Sequence, residues 1–98
     1  VHINDVVYAE VSTSYSTVEG FETMLNTAQL ILDPMPRTAL FLAGKAFQAY
    51  RRSGGRRTGV LPDFFIGAHA AVRGWPLLTR DPRRYRTYFP TLEVIAPD

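Results

Sequence analysis

Three acidic side chains, Glu10, Asp63 and Asp81, set the chemical possibilities of this sequence. Each has an ordinary structural explanation when taken alone. In helical projection Glu10 falls among Val6, Val7, Val11 and Ser14, where a glutamate at the rim of an apolar face reaches solvent or an arginine. Asp63 follows Pro62 at the head of a helix, where a carboxylate can satisfy exposed backbone N–H groups and the positive helix end. Asp81 precedes Pro82, the pattern of an N-cap followed by proline at the first helical position. Together the three can do more. Carboxylates from different elements can converge on Mg²⁺ or Mn²⁺, hard ions that prefer oxygen ligands and retain water. Such an ion suits phosphodiester hydrolysis, because it lowers the pKa of an attacking water and neutralises charge on the phosphate. Thr79 could orient the water or a carboxylate, and Arg80, Arg83, Arg84 and Arg86 cluster beside Asp81, where they could bind phosphates.

The elements that must position these residues alternate between short strands and helices. Val1 to Ile3 reads as the end of a strand, and Asn4 caps a first helix that runs to about Tyr15 and carries Glu10. Ser16-Thr17-Val18-Glu19 fits a capping box, and the apolar spacing of Phe21, Leu25, Ala28 and Leu32 extends a second helix as far as Pro34. Pro36 suits the first turn of a third helix to about Arg52, whose Ala39, Ala43 and Ala46 would let another element approach closely. After Ser53-Gly54-Gly55 and the basic loop 56–59, a fourth helix begins at Asp63 and ends near Gly74. Its run from Phe64 to Val72 is almost wholly apolar or small, so it is buried on most sides and its N-terminal aspartate faces an interior cleft. Leu77 to Thr79 is a short strand that delivers Asp81 at its carboxyl end, a helical turn covers Asp81 to Tyr88, and Leu92 to Ile95 is a last strand. This alternation gives an α/β class with parallel strands.

Composition narrows the field. At 98 residues the chain forms a single domain, residues 1–98, and no apolar run reaches the roughly 20 residues of a membrane span. Without cysteine there are no disulfides, thiolate nucleophiles or cysteine zinc sites, and no signal peptide opens the sequence. A reducing cytoplasm is the expected location. Charge divides along the chain: residues 1–36 carry five Asp and Glu and no Lys or Arg, whereas residues 37–98 carry all 11 Lys and Arg with four acids. That asymmetry suggests a polyanionic partner for the second part, with solvated helix faces as the plain alternative. His69, about two turns beyond Asp63 on a buried helix, reads as a packed histidine rather than a ligand. Gly54-Gly55-Arg56-Arg57 lacks the Lys-Ser/Thr ending of a phosphate-binding loop and reads as a flexible basic turn.

Long, ordered motifs carry a family resemblance. Residues 61–70, Leu-Pro-Asp-Phe-Phe-Ile-Gly-Ala-His-Ala, followed by Leu77-Leu78-Thr79-Arg80-Asp81-Pro82-Arg83-Arg84-Tyr85 and Tyr88-Phe89-Pro90, resemble the C-terminal half of VapC-type PIN domains. Residues 3–12 are similar to the helix that bears the family's glutamate. The resemblance implies a PIN-like parallel sheet flanked by helices and a Mg²⁺- or Mn²⁺-dependent endoribonuclease toxin. Glu10, Asp63 and Asp81 match acidic metal positions, Thr79 matches the active-site hydroxyl, and Arg80, Arg83 and Arg84 are candidates for holding RNA. The expected partners are RNA, a cognate antitoxin and a second copy of the chain. The family's first strand, which ends in a further aspartate, has no counterpart here, so the domain is expected to be N-terminally incomplete and its metal site one carboxylate short. A non-catalytic module acting through an antitoxin-like partner is the alternative, and a DNA-directed nuclease of the same fold is a third.

Overall fold

The computed structural model describes residues 1–57 and 59–97, so Thr58 of the expected basic loop lies outside the described residues. The chain divides into two compact units, Val1–Met35 and Pro36–Asp98. The expected single parallel sheet is replaced by two separate parallel pairs of two-residue strands, one in each unit. The α/β class holds with this reduced sheet content.

In the first unit, β1 (His2–Ile3) leads into α1 (Asp5–Ser12), then α2 (Val18–Thr27) and β2 (Ile31–Leu32). Buried Asn4 caps α1, its side chain accepting the Val7 N–H at 2.8 Å. The helix stops at Ser12 rather than Tyr15. The Ser12 hydroxyl donates to the Ala9 carbonyl and Thr13 Oγ1 to that of Glu10, at 2.7 and 2.8 Å, so hydroxyls compete for the carbonyls that would continue it. The cap of α2 is Thr17, which accepts the Gly20 N–H at 3.0 Å, one residue later than the expected box, so Glu19 is not placed to reach back. Phe21 and Leu25 form this unit's core, with the rings of Tyr8 and Tyr15 centred 4.6 and 5.1 Å from that of Phe21.

The largest departure from the sequence expectation follows α2. Leu32 was expected in the helix but lies in β2. Gln29 takes a left-handed φ of 58°, and the Leu30 N–H closes on the Leu25 carbonyl at 2.9 Å, with the Gln29 N–H on Asn26 at 3.2 Å. This is the doubly bonded C-terminal stop that glycine usually makes. Released from the helix, Ile31 pairs with His2 and Leu32 with Ile3 in parallel register. The Asp5 carboxylate then accepts the Met35 N–H at 3.1 Å and ties down the end of the unit.

The second unit runs α3 (Arg37–Arg52), α4 (Leu61–Arg73), β3 (Leu77–Leu78), α5 (Pro82–Tyr88) and β4 (Val94–Ile95). α3 and α4 share the most extensive contact in the unit. Ala39, Ala43 and Ala46 are buried at spacings that line one helical face, and Phe47 meets Phe64 edge to face at 5.6 Å. Phe64 is fully buried beneath Tyr50, Tyr88 and Phe89, each ring centre within 6.2 Å of its own. α4 ends at Gly74, in the left-handed region, where the Trp75 N–H reaches the Ala70 carbonyl. β3 pairs with β4 in parallel, Leu77 with Val94 and Leu78 with Ile95. Among the described residues no helix is long and apolar enough to cross a membrane.

One close approach brings α5 onto α4. A Cβ at Gly67 would lie 2.6 Å from the Phe89 ring, closer than real side chains come, and 3.0 Å from Tyr85, a tight contact. Gly44, in mid-α3, faces open space. Gly67→Ala is therefore expected to destabilise the protein by about 1–3 kcal/mol through overpacking. Gly44→Ala is expected to stabilise it by about 0.5–1 kcal/mol through chain entropy. Thermal or urea unfolding of both variants checks the opposite signs.

Candidate active site

The second unit gathers Asp63, Asp81, Arg84 and Tyr85. Asp63 is the third residue of α4, in the first turn where the helix dipole favours negative charge. Its carboxylate does not cap the helix. Instead Oδ2 accepts a charge-assisted hydrogen bond from Arg84 Nη1 at 2.7 Å, with the arginine side chain only 18% exposed. The same guanidinium lies 6.0 Å from the Tyr50 ring centre.

Asp81 is the residue before α5, but its side chain makes no capping hydrogen bond, which leaves the carboxylate exposed and available. Thr79 fixes it from behind. The Asp81 N–H donates to Thr79 Oγ1 at 3.1 Å, while the Thr79 N–H donates to the Ile95 carbonyl at 3.0 Å and so continues the β3–β4 ladder. The threonine expected to orient a water or a carboxylate thus anchors the backbone that carries Asp81.

Tyr85 was absent from the expected site residues. It is buried, and its hydroxyl is pushed well above the ordinary value of 10.0. Burial is the largest cause. The charge of Asp63, a hydrogen bond to Asp63 and the charge of Asp81 add to it, and Arg84 opposes it. The hydroxyl therefore senses both carboxylates and Arg84. Its signal in the sequence was indirect: in the run from Arg83 to Tyr88, aromatics three apart interrupt the arginines, so one face of a seven-residue helix turns inward.

Beside this group lies a cleft of about 360 Å³ lined by Tyr50, Asp81, Arg83, Arg84, Thr87 and Tyr88. Two of the expected RNA-binding arginines, Arg83 and Arg84, are in its wall; Arg80 is exposed and does not line it. Glu10 belongs to the first unit, exposed on α1. It reaches solvent, as a glutamate at the rim of an apolar face would, and α1 has no buried residue. His69 is 1% exposed with its ring centre 5.3 Å from that of Trp75, in keeping with a packed histidine.

Among the described residues no group of three or more His, Asp or Glu side chains is gathered within holding distance of one ion. Asp63 and Asp81 are oxygen donors of the kind a hard divalent cation takes, and two carboxylates leave its other positions to water and phosphate. In this arrangement Arg84 supplies the positive charge at Asp63.

No protein-family model matches the chain, and no curated protein does. Among solved structures, a chain of the crystal structure of VapBC2 from Rickettsia felis bound to a DNA fragment from their promoter is similar, with a TM-score of 0.71. The likeness spans 99% of this chain and 74% of that one at 20% sequence identity, and it establishes a shared fold.

The raised Tyr85 hydroxyl has a consequence for stability. Because the folded state favours the neutral phenol, its contribution is complete below about pH 10, the ordinary tyrosine value, and is lost as pH rises beyond it. The loss of stability above pH 10 is expected to be shallower in Tyr85→Phe than in the wild type. A phenolate absorbance titration is expected to lose its late-ionising component in the variant; identical titrations in the two proteins would contradict the assignment.

Proposed function

We propose that this chain carries the catalytic acids of a metal-dependent endoribonuclease of toxin–antitoxin type, built on a PIN-like fold. The observation that carries the reading is a cleft lined by Asp81, Arg83 and Arg84, in which Arg84 is also bonded to Asp63 at 2.7 Å, so that both aspartates adjoin the same basic wall. The fold shared with a chain of a toxin–antitoxin complex supports it. A Mg²⁺ or Mn²⁺ ion held by Asp63 and Asp81 would supply an activated water and charge neutralisation at phosphorus. The family resemblance gives Glu10 a third carboxylate role in the same chemistry. Thr79 holds the Asp81 backbone in place, and Arg83 and Arg84 offer positive charge to the RNA backbone. Such a toxin works in the cytoplasm as a homodimer, restrained by an antitoxin whose C-terminal segment occludes the acidic cleft.

The test is cleavage of RNA by the purified protein with Mg²⁺ or Mn²⁺ present and after chelation. Cleavage is expected to require the ion and to fall by about 100-fold or more in Asp63→Asn and in Asp81→Asn, beyond the loss typical of residues that merely support a metal ligand. Glu10→Gln is expected to follow them. Undiminished activity in the two aspartate variants would reject the reading.

One observation favours a second reading, a binding module without catalysis: the Arg84 guanidinium sits 2.7 Å from Asp63 Oδ2, a position a metal ion would contest. Calorimetric titration with Mn²⁺ separates the two. Heat of binding that disappears in Asp81→Asn supports the nuclease, and no binding by the folded protein supports the module.

A further inference from the structure

The cleft beside Asp81 has features that phosphate binding alone does not call for. Two tyrosines form part of its wall, and each is held in place from outside. The Tyr88 hydroxyl shares a hydrogen bond with Ser53 Oγ at 3.0 Å. The Tyr50 hydroxyl accepts the Arg57 N–H at 3.2 Å, and Gly55 lies so close against the Tyr50 ring that no side chain would fit there. The two rings meet at 78° with centres 6.1 Å apart, and both rest on Phe64, whose ring centre is 5.5 Å from Tyr50 and 5.4 Å from Tyr88. Tyr50, clasped by Gly55 and with Arg84 near its ring, acts as a fixed support. Tyr88 is half-buried at the cleft, with its orientation set before any ligand arrives.

Charge complements the rings. The Arg83 side chain makes no ion pair among the described residues and is exposed in the cleft wall, while Arg84 is committed on one nitrogen to Asp63. An aromatic ring fixed at two points beside an uncommitted guanidinium matches the two ends of a nucleotide, a flat base and a phosphate. A base paired in a duplex has its faces covered by its neighbours and cannot offer one to a side chain.

Resting on the nuclease reading above, we propose that this cleft is a subsite for one unpaired nucleotide of single-stranded RNA, its base stacked on Tyr88 and its phosphate held by Arg83. The subsite lies next to Asp81, so a nucleotide seated there brings the adjoining phosphodiester towards the carboxylates and makes unpaired segments the preferred substrate. The ring's pre-set orientation lowers the entropic cost of stacking, which favours Tyr88 over a mobile surface aromatic.

The experiment measures binding of a labelled single-stranded RNA, the same RNA in a duplex, and the matching single-stranded DNA to the full protein in chelator, so that cleavage plays no part. Tyr88→Leu is expected to weaken single-strand binding by about 5- to 100-fold and to leave duplex binding unchanged, whereas Tyr88→Phe, which keeps the ring and loses only the Ser53 hydrogen bond, is expected to stay closer to the wild type than to Tyr88→Leu. Arg83→Gln, at an exposed position that leaves the core intact, is expected to reduce the slope of log affinity against log salt by about 1. The DNA arm separates the two sources of an unpaired nucleotide, and tighter binding of RNA supports the proposal. Wild-type single-strand affinity in Tyr88→Leu, or an unchanged salt slope in Arg83→Gln, overturns it. Binding of an acidic peptide that depends on the same two residues, with no RNA binding, overturns it in favour of a protein ligand. Cleavage assays on the same variants keep the two proposals apart: stacking-dependent binding without cleavage removes the nuclease and keeps the subsite, and cleavage with unaltered KM in Tyr88→Leu does the reverse.

Discussion

A missing side chain governs the second unit. At Gly67 the surface of α4 is bare backbone, and the ring of Phe89 lies on it at a distance no β-carbon would allow, with Tyr85 tight beside it. That contact sets how α5 lies on α4. Once Tyr85 faces inward at Gly67, the preceding residue, Arg84, is carried to Asp63 one turn earlier on α4, and Asp81 is left at the end of α5 with its carboxylate outward. The ion pair, the shifted tyrosine hydroxyl and the cleft therefore follow from one packing constraint rather than from separate electrostatic arrangements. The Asp63–Arg84 pair, part-buried between α4 and α5, is better understood as a product of this packing than as its cause.

Much of this was legible in the sequence, for identifiable reasons. α3 and α4 are long enough for their periodic small and apolar residues to declare a face, and both appear within about two residues of their expected bounds. Asp63, Thr79 and Asp81 were marked by their places at helix and strand ends, and those places are kept. The strands were harder. Two residues carry almost no alternation, and Ile31-Leu32 continued the helical spacing of Phe21, Leu25 and Ala28, so it read as more helix. What ends that helix is Gln29 in a left-handed conformation, for which glycine or asparagine is the usual sign and glutamine is silent. Tyr85 was missed because its part in the site depends on α5 meeting α4, a tertiary fact. The partner of Arg84 was hidden for the same reason, since Asp63 and Arg84 are separated by 21 residues.

Charge is partitioned with the architecture. The first unit carries only acidic ionisable side chains besides His2 and its tyrosines, and every Lys and Arg belongs to the second. A basic unit that spends one arginine on an internal aspartate and leaves others in a cleft wall is suited to meeting an extended anion. Positive charge nearest the aspartates thus has two tasks, holding the acids together and addressing a ligand, and these are divided between adjacent residues, Arg84 and Arg83.

The brevity of the strands shapes how the molecule opens in time. Each pair has two residues per strand, so its ladder offers few amides an internal hydrogen bond, and those amides can exchange with solvent through small local openings. The long helices α3 and α4, with Phe64 sealed between aromatic rings, hold the contacts that yield last. Thr79 stands on that boundary. Its hydroxyl sets the Asp81 backbone while its own amide closes the weaker ladder, so the breathing of β3 and β4 is transmitted directly to one of the two carboxylates.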